Sequence, residues 1–499
     1  MDRQPTVRMD PTLTLPDTRL GLARVVVVAL VVALLVPSGV SALTHDPVDV
    51  EPGAISEPAD GSTVVSAQGF EARTANASLK STRLVQVDGE GGFESEYDID
   101  AGRGYFYDVD PLADGTVLVT VGKHNSSFVK YDPGTGQRVW TEQVGTDDTH
   151  DVDLVNGDEL LVADMRNYDA EADRNDDRVF VYNRTRDAVV WEFRFERVYD
   201  RADGGDYTDD WTHVNDVDKV GDGEFMVSPR NMDQVLLVNR STKEIEWALG
   251  EDDNHSTLYE QHNPTYLEGE NGTPTVLVAD SENDRVVEYA RTNGTWERTW
   301  VLGVGGNMNW PRDADRLPNG NTLVVDSLNH RAIEVTPTGE VVWEYYVSWG
   351  TYDAERMDLG DEPGGPTIRE QGMEGRYALN GSAGLTPGTS DRETFAEWTR
   401  TAFAGTPLSG PTDWFATRWS HVVPWIRPNW LSPWAFASAV GAVLVGGTWA
   451  VGDLVYHRRG ARRRLGTGLA WVRTRVEAGE PEPVEDGGDP ETADDAGDD

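Results

Sequence analysis

The stretch NDVDKVGDGEFMV (215–227) holds an Asp-x-Asp start, a Gly-containing turn and a short apolar run, and the chain repeats it with variations. YDVDPLADGTVLV (107–119) and HDVDLVNGDELLV (150–162) precede it; NPTYLEGENGTPTVLV (263–278) and RDADRLPNGNTLVV (312–325) follow. After each comes a second unit: FVKYDPGTGQRVW, VFVYNRTRDAVVW, VLLVNRSTKEIEW, VVEYARTNGTWERTW and AIEVTPTGEVVW. Each repeat reads as strand, Gly or Asn turn, β-branched strand, then a second hairpin ending on Trp. The starts are 43, 65, 48 and 49 residues apart, and the long interval carries two acidic insertions, at 169–177 and 199–210. Four strands in 40–50 residues is the signature of a β-propeller blade.

STVVSAQGF (62–70) and LVQVDGEGGFESEY (84–97) supply the last three strands of one more unit. The prediction is therefore an all-β protein, a propeller of six four-stranded blades. Cysteine is absent, so no disulfide can close the ring. A strand from the region after Tyr346 is expected to do so instead.

The chain has 499 residues and a net charge of −44, with 5 Lys against 38 Arg. Such acidity repels nucleic acid and excludes a general affinity for it. Disorder is excluded by 17 Trp, 16 Tyr and 12 Phe, far more aromatic surface than disordered chains carry. A folded halophilic protein, its self-repulsion screened by concentrated salt, fits both facts.

Two segments are apolar enough for a bilayer. LARVVVVALVVALLV (22–36) follows several arginines and reads as a signal peptide or signal anchor. WAFASAVGAVLVGGTWAVG (434–452) is followed by HRRGARRR, a positive-inside stop signal. The expected organisation is a signal anchor or signal peptide over 1–43 and a propeller over 44–356. A loop and helical membrane-proximal region over 357–430 and a transmembrane helix over 431–456 follow, then a cytoplasmic tail over 457–499. SDRE (390–393) is expected to cap a helix running to Phe403. Trp414, Trp419, Trp425, Trp430 and Trp434 read as interfacial aromatics. Eight N-x-S/T sequons fall between the two apolar segments, which agrees with an extracellular propeller.

Comparing the repeats separates scaffold from site. The recurring Asp of the D-x-D start most simply serves the blade by bonding backbone; metal ligation is the lesser alternative, and no metal site is predicted. The residue before it varies: Tyr107, His150, Asn215, Asn263 and Arg312. His213 and His262 lie just earlier in their repeats, and Arg166 and Arg230 end the second strands of theirs. In a propeller these positions face one another around one mouth of the central channel. Three His and three Arg gathered there in an acidic protein predict an anion site.

HDVD from His150, HVND from His213 with SPRN from Ser228 and WALG from Trp247, and HNP from His262 resemble the arylsulfate sulfotransferase family over roughly residues 60–346. The resemblance is to a membrane-anchored member of haloarchaeal type. It implies a six-bladed propeller that moves a sulfuryl group from an aryl sulfate donor to a phenolic or other hydroxyl acceptor. By motif order His262 matches the residue that becomes a sulfohistidine. His213, Asn215, Arg230 and His150 match residues that bind the sulfuryl group; Arg166 and Arg312 join them on position alone. No cofactor is implied, and the chain has no G-x-x-x-x-G-K-[ST] loop. The chain departs from familiar bacterial members in lacking their disulfide and in carrying a C-terminal span, and no stretch of it is assigned to their large N-terminal β-domain. A non-catalytic propeller that binds glycan or protein is the alternative. A metal-dependent hydrolase is disfavoured by the missing glutamates at the blade starts.

Overall fold

Short β-branched runs punctuated by turn residues fold here into six blades, each with four antiparallel strands. In the computed structural model, residues 19–46, 49–71, 78–97, 104–122, 125–269, 272–381 and 394–477 are described. The turns work as their chemistry demands: Asn156-Gly157 and Asn293-Gly294 have positive φ at both central residues, the type I′ geometry that matches strand twist.

From the channel outward, blade 2 is Tyr105–Pro111, Val117–Gly122, Ser127–Asp132 and Gln137–Glu142. Blade 3 is Val152–Val155, Glu159–Asp164, Arg178–Asn183 and Ala188–Arg194. Blade 4 is Val214–Gly221, Glu224–Pro229, Gln234–Asn239 and Ile245–Gly250. Blades 5 and 6 begin at His262–Gly269 and Asp313–Arg316 and end at Thr295–Leu302 and Val341–Val347.

Blade 1 closes the ring. Its three outer strands are Thr63–Ala67, Arg83–Val87 and Phe93–Glu96, and its inner strand is Thr351–Arg356. This is the expected strand after Tyr346. A second closure lies outside blade 6, where Val50–Pro52 pairs with Tyr345–Val347. Six apolar clusters fill the spaces between consecutive blades, one per interface. The recurring Trp pins those interfaces: the indoles of Trp191, Trp300 and Trp343 donate to Arg240, Pro337 and Gly89 of the following blade at 2.7, 2.9 and 3.2 Å.

The loop after blade 1 is not idle. Ile368 is fully buried in the core between blades 5 and 6, and Gly375–Tyr377 adds a parallel strand to blade 5.

Among the described residues four α-helices occur: α1 (Arg19–Thr44), α2 (Phe395–Phe403), α3 (Ser409–Ile426) and α4 (Pro433–Glu477). The cap of α2 is a capping box of Thr394 and Glu397; SDRE at 390–393 lies outside the described residues. Two units separate by contact, Thr44–Trp434 and the terminal segments. In the second, Arg24 donates to Asp453 at 2.8 Å and Ser438 to the Leu34 carbonyl at 2.7 Å, so α1 and α4 run antiparallel. Both are long and apolar enough to cross a membrane. In the first unit, α3 docks on the propeller. His421 Nε2 meets Asp284 at 2.8 Å, Arg418 meets Glu282 at 3.2 Å, and Lys80 donates to the carbonyls of Pro424 and Trp425. Of the five tryptophans expected at an interface, Trp414, Trp430 and Trp434 are exposed. Trp419 packs on Phe395 and Trp425 on Phe70 instead.

Candidate functional site

Where the inner strands start, strand pairing skips between Phe106 and Val109, Val214 and Val217, and His262 and Thr265. These bulges let neighbouring residues such as Asn215 and Asp216 both face the channel. Pairing registers align the blades: Asp110 opposite Leu118, Asp153 opposite Leu161, Asp218 opposite Met226, Thr265 opposite Leu277 and Asp315 opposite Leu323. Three residues before each lie Tyr107, His150, Asn215, His262 and Arg312, and Tyr352 takes that place in blade 1. The expected alignment of Asn263 with Asn215 is thus corrected by one residue. Blade 5 carries N-P-T where blades 2, 3, 4 and 6 carry D-x-D, which hid the register. Arg166 and Arg230 are also offset by one, because Arg230 opens a 3-10 turn that blade 3 lacks.

Six positions converge on one mouth. His150 packs at a tilt against Tyr107 with ring centroids 3.9 Å apart and meets His213 edge-on at 5.0 Å. The Tyr352 hydroxyl is 3.1 Å from His150 Nδ1, and its ring lies 6.1 Å from that of His262. Burial keeps the Tyr352 phenol well above its ordinary pKa, against the pull of Arg312. Burial likewise drives His150 well below the usual histidine value, helped by His213, Arg312, His262 and Arg166.

His213 sits in a left-handed backbone conformation, φ 44°. Its Nδ1 is 2.8 Å from Asp210. Asp210 ends the second acidic insertion and also accepts from Arg166 Nε at 3.0 Å, with Arg230 Nη2 3.8 Å away. Burial alone would raise the Asp210 pKa, yet the contacts with His213 and Arg166 hold it far below the usual carboxylate range. Burial and the Arg230 charge lower His213 to about 3 despite Asp210. A neutral ring with its proton on Nδ1 follows, which leaves the lone pair on the buried, unpartnered Nε2.

His262 is buried to 1% exposure at the start of blade 5. Its Nδ1 lies 2.8 Å from Ser281 Oγ, while Ser281 Oγ lies 2.6 Å from the Pro311 carbonyl. A hydroxyl has one proton. With that proton given to Pro311, Nδ1 must donate to Ser281 and Nε2 keeps its lone pair. The His262 pKa is lowered well below 6.5 by burial first, then by Arg312, Arg230 and His213; the Glu260 carbonyl opposes them. The neighbouring Asn215 donates to the Gln261 carbonyl at 2.8 Å, and its Oδ1 is buried without a partner.

Arg312 is the anomaly of the site. It is 5% exposed, lies over the rings of Trp310 and Tyr352 at 4.6 and 4.7 Å, and donates to Gln68 at 2.6 Å. It makes no ion pair among the described residues, and its Nε is buried unpartnered. Burial lowers its pKa to about 10, so it stays charged at neutral pH. A buried guanidinium without a carboxylate partner among the described residues, in a chain of net charge −44, is chemically able to hold an anionic ligand.

All seven predicted residues thus gather at one mouth. Arg166, 39% exposed and paired with Asp148 and Asp210, stands at the rim. Arg230 is shared among Asn231, Asp210 and Glu260. Tyr352, Asp210, Ser281 and Trp310 were not foreseen. YDAE at 352–355 echoes YDVD at 107–110, a signal that could have revealed both Tyr352 and the closing strand.

A model of the arylsulfotransferase (ASST) family matches residues 59–267. Among solved structures, a protein of unknown function from Bacteroides caccae is similar at 14% identity and TM-score 0.40, covering 58% of this chain and 93% of its own. A streptogramin B lyase follows at 14% identity and TM-score 0.35, over 51% and 72% of the chains. A nidogen/laminin complex structure gives 12% identity and TM-score 0.39, over 59% and 97%. No curated protein matches the chain.

Proposed function

We propose that this protein is a sulfotransferase moving a sulfuryl group from an aryl sulfate ester to a phenolic or other hydroxyl acceptor, through a sulfohistidine at His262. The observation that carries the reading is Arg312, a buried charge with no carboxylate partner among the described residues, whose field acts on the neutral His262 imidazole. The family match over residues 59–267 supports the same reading.

In the first step the lone pair of His262 Nε2 attacks sulfur and the S–O bond to the aryl group breaks, its electron pair leaving on the phenolate. The hydroxyl acceptor then attacks sulfur, the N–S bond breaks, and the pair returns to Nε2. The acceptor proton passes to the ring nitrogen of a neighbouring His, with His213 Nε2 free to take it. The sulfuryl oxygens carry the transferring charge, and Arg312, Arg230 and Asn215 Nδ2 are the donors at hand. Each such group is worth about 3–4 kcal/mol at the transition state by analogy with an oxyanion-hole donor. His150, hydrogen-bonded to a Tyr352 phenol that burial keeps protonated, can present its Nε2–H to the leaving oxygen. With α1 and α4 as membrane anchors, the propeller would face the outside and act on extracellular donors and acceptors.

The test is a rapid quench of 4-nitrophenyl sulfate turnover, with and without phenol, followed by mass spectrometry. A labile SO3 adduct on the peptide bearing His262, discharged by phenol, supports the mechanism. Phenol-dependent turnover retained in His262→Gln would sink it.

A further inference from the structure

Below the mouth the channel narrows to a cavity of about 20 Å³ lined by the inner-strand carboxylates together with Asp361 and Glu362, room for about one water-sized ligand. In alternate blades the first Asp bonds the next blade: Asp353 accepts from Val109 N at 2.7 Å and Asp151 from Val217 N at 2.5 Å. These are scaffold roles. They leave others unexplained, because among the described residues Asp108, Asp216, Asp218, Asp313, Asp315 and Glu355 each keep a buried oxygen that faces only other carboxyl groups and no N–H or hydroxyl donor.

Three of these residues converge. Oxygens of Asp313, Asp315 and Glu355 lie within 4.8 Å of one another, and each residue is 3% exposed. The three residues whose ligand atoms cluster are thus also residues with an unsatisfied oxygen. We infer that Asp313, Asp315 and Glu355 hold one divalent cation of the Ca2+ class inside the channel, tying the inner strands of blades 6 and 1 together. This assignment stands apart from the sulfuryl-transfer reading.

Hard cations select carboxylate oxygen. Ca2+ binds its ligands at 2.3–2.6 Å, so oxygens around one ion are up to about 5 Å apart, and the three oxygens here fall inside that span. Mg2+ demands near-ideal octahedral geometry at about 2.0–2.1 Å, whereas Ca2+ accepts irregular coordination, which suits three carboxylates fixed on two inner strands. Asp315 is already oriented, since Thr265 Oγ1 lies 3.2 Å from its other oxygen. Blade 6 meets blade 1 where the chain closes on itself, so a cation there crosslinks the closure that has no disulfide.

The test uses the full chain, purified in detergent and molar KCl. Elemental analysis after gel filtration in chelator-treated buffer is expected to find one calcium per chain. EGTA should lower Tm by roughly 5 °C or more, with recovery on adding Ca2+ but not Mg2+. The double variant Asp313→Asn with Glu355→Gln should lose the calcium and the EGTA response, whereas Glu362→Gln, a channel acid outside the trio, should keep both. Wild-type protein with no bound divalent ion and no response to EGTA overturns the assignment. So does a stability that follows KCl alone, or an Asp315→Asn variant that is more stable than wild type and indifferent to EGTA, since both would mean a proton-sharing carboxyl cluster.

Discussion

Asp210 and His213, three residues apart at the end of an acidic insertion, meet at 2.8 Å with Arg166 and Arg230 flanking the carboxylate. The insertion supplies the group that fixes the tautomer of a site histidine and aligns two arginines. Asp210→Asn should therefore keep the fold and lower kcat by about 100-fold or more, as loss of an orienting carboxylate does in other histidine sites. A merely structural role would move Tm and leave kcat alone. Pre-steady-state kinetics with a thermal melt of the same sample separates the two.

His262 must be neutral to attack, and its surroundings hold its pKa well below 6.5. The sign is favourable to acid tolerance: protonation, and with it loss of the nucleophile, begins only as pH falls far below 6.5. The rate of sulfuryl loss from the donor should be flat from pH 8 through 6.5, where an ordinary histidine would already lose half its activity. His262→Ala should lower the rate by roughly 10³-fold or more. A single-turnover pH profile with a break near 6.5 would contradict the buried-neutral assignment.

Ser281 accepts from His262 and donates to Pro311. In Ser281→Ala the ring can take either tautomer, and one hydrogen bond of about 0.5–1.5 kcal/mol is lost. A fall of roughly 2- to 12-fold in the first step is expected, with KM for donor unchanged. Ser281→Thr, which restores the hydroxyl, should recover most of the rate. Loss of activity as large as in His262→Ala would assign Ser281 a direct chemical role instead.

The repeat made the propeller legible, because each blade is a local unit whose turns and β-branched runs are close in sequence. The histidines and arginines of the mouth were legible for the same reason: they vary against a repeating background. Asp210 was not, since an acidic insertion in a chain of net charge −44 looks like surface. Only its position three residues before His213 marks it. Tyr352 was hidden by ring closure, where the inner strand of blade 1 comes from more than 280 residues away in sequence. The register of His262 was hidden by N-P-T in place of D-x-D. The unsatisfied oxygens of Asp313, Asp315 and Glu355 exist only once six strands are brought side by side.

The docking of α3 should depend on pH through His421. Burial opposes its charge, but contacts with Asp284 and Glu282 prevail and raise its pKa to about 9 from 6.5. A pKa raised by folding contributes stability that is complete below pH 6.5 and is lost as pH rises through about 9. At 1.36 kcal/mol per unit, that contribution is about 3 kcal/mol at most. Lys80, which donates to the end of α3, is lowered to about 7, chiefly by burial. It acts in the opposite sense over this range, so wild type alone would hide the effect. The informative quantity is the Tm difference between wild type and His421→Gln at each pH. It should be greatest at pH 6.5 and below and vanish above about pH 9. A gap that stays constant from pH 6 to 9.5 would mean that His421 holds α3 by packing and not by its charge.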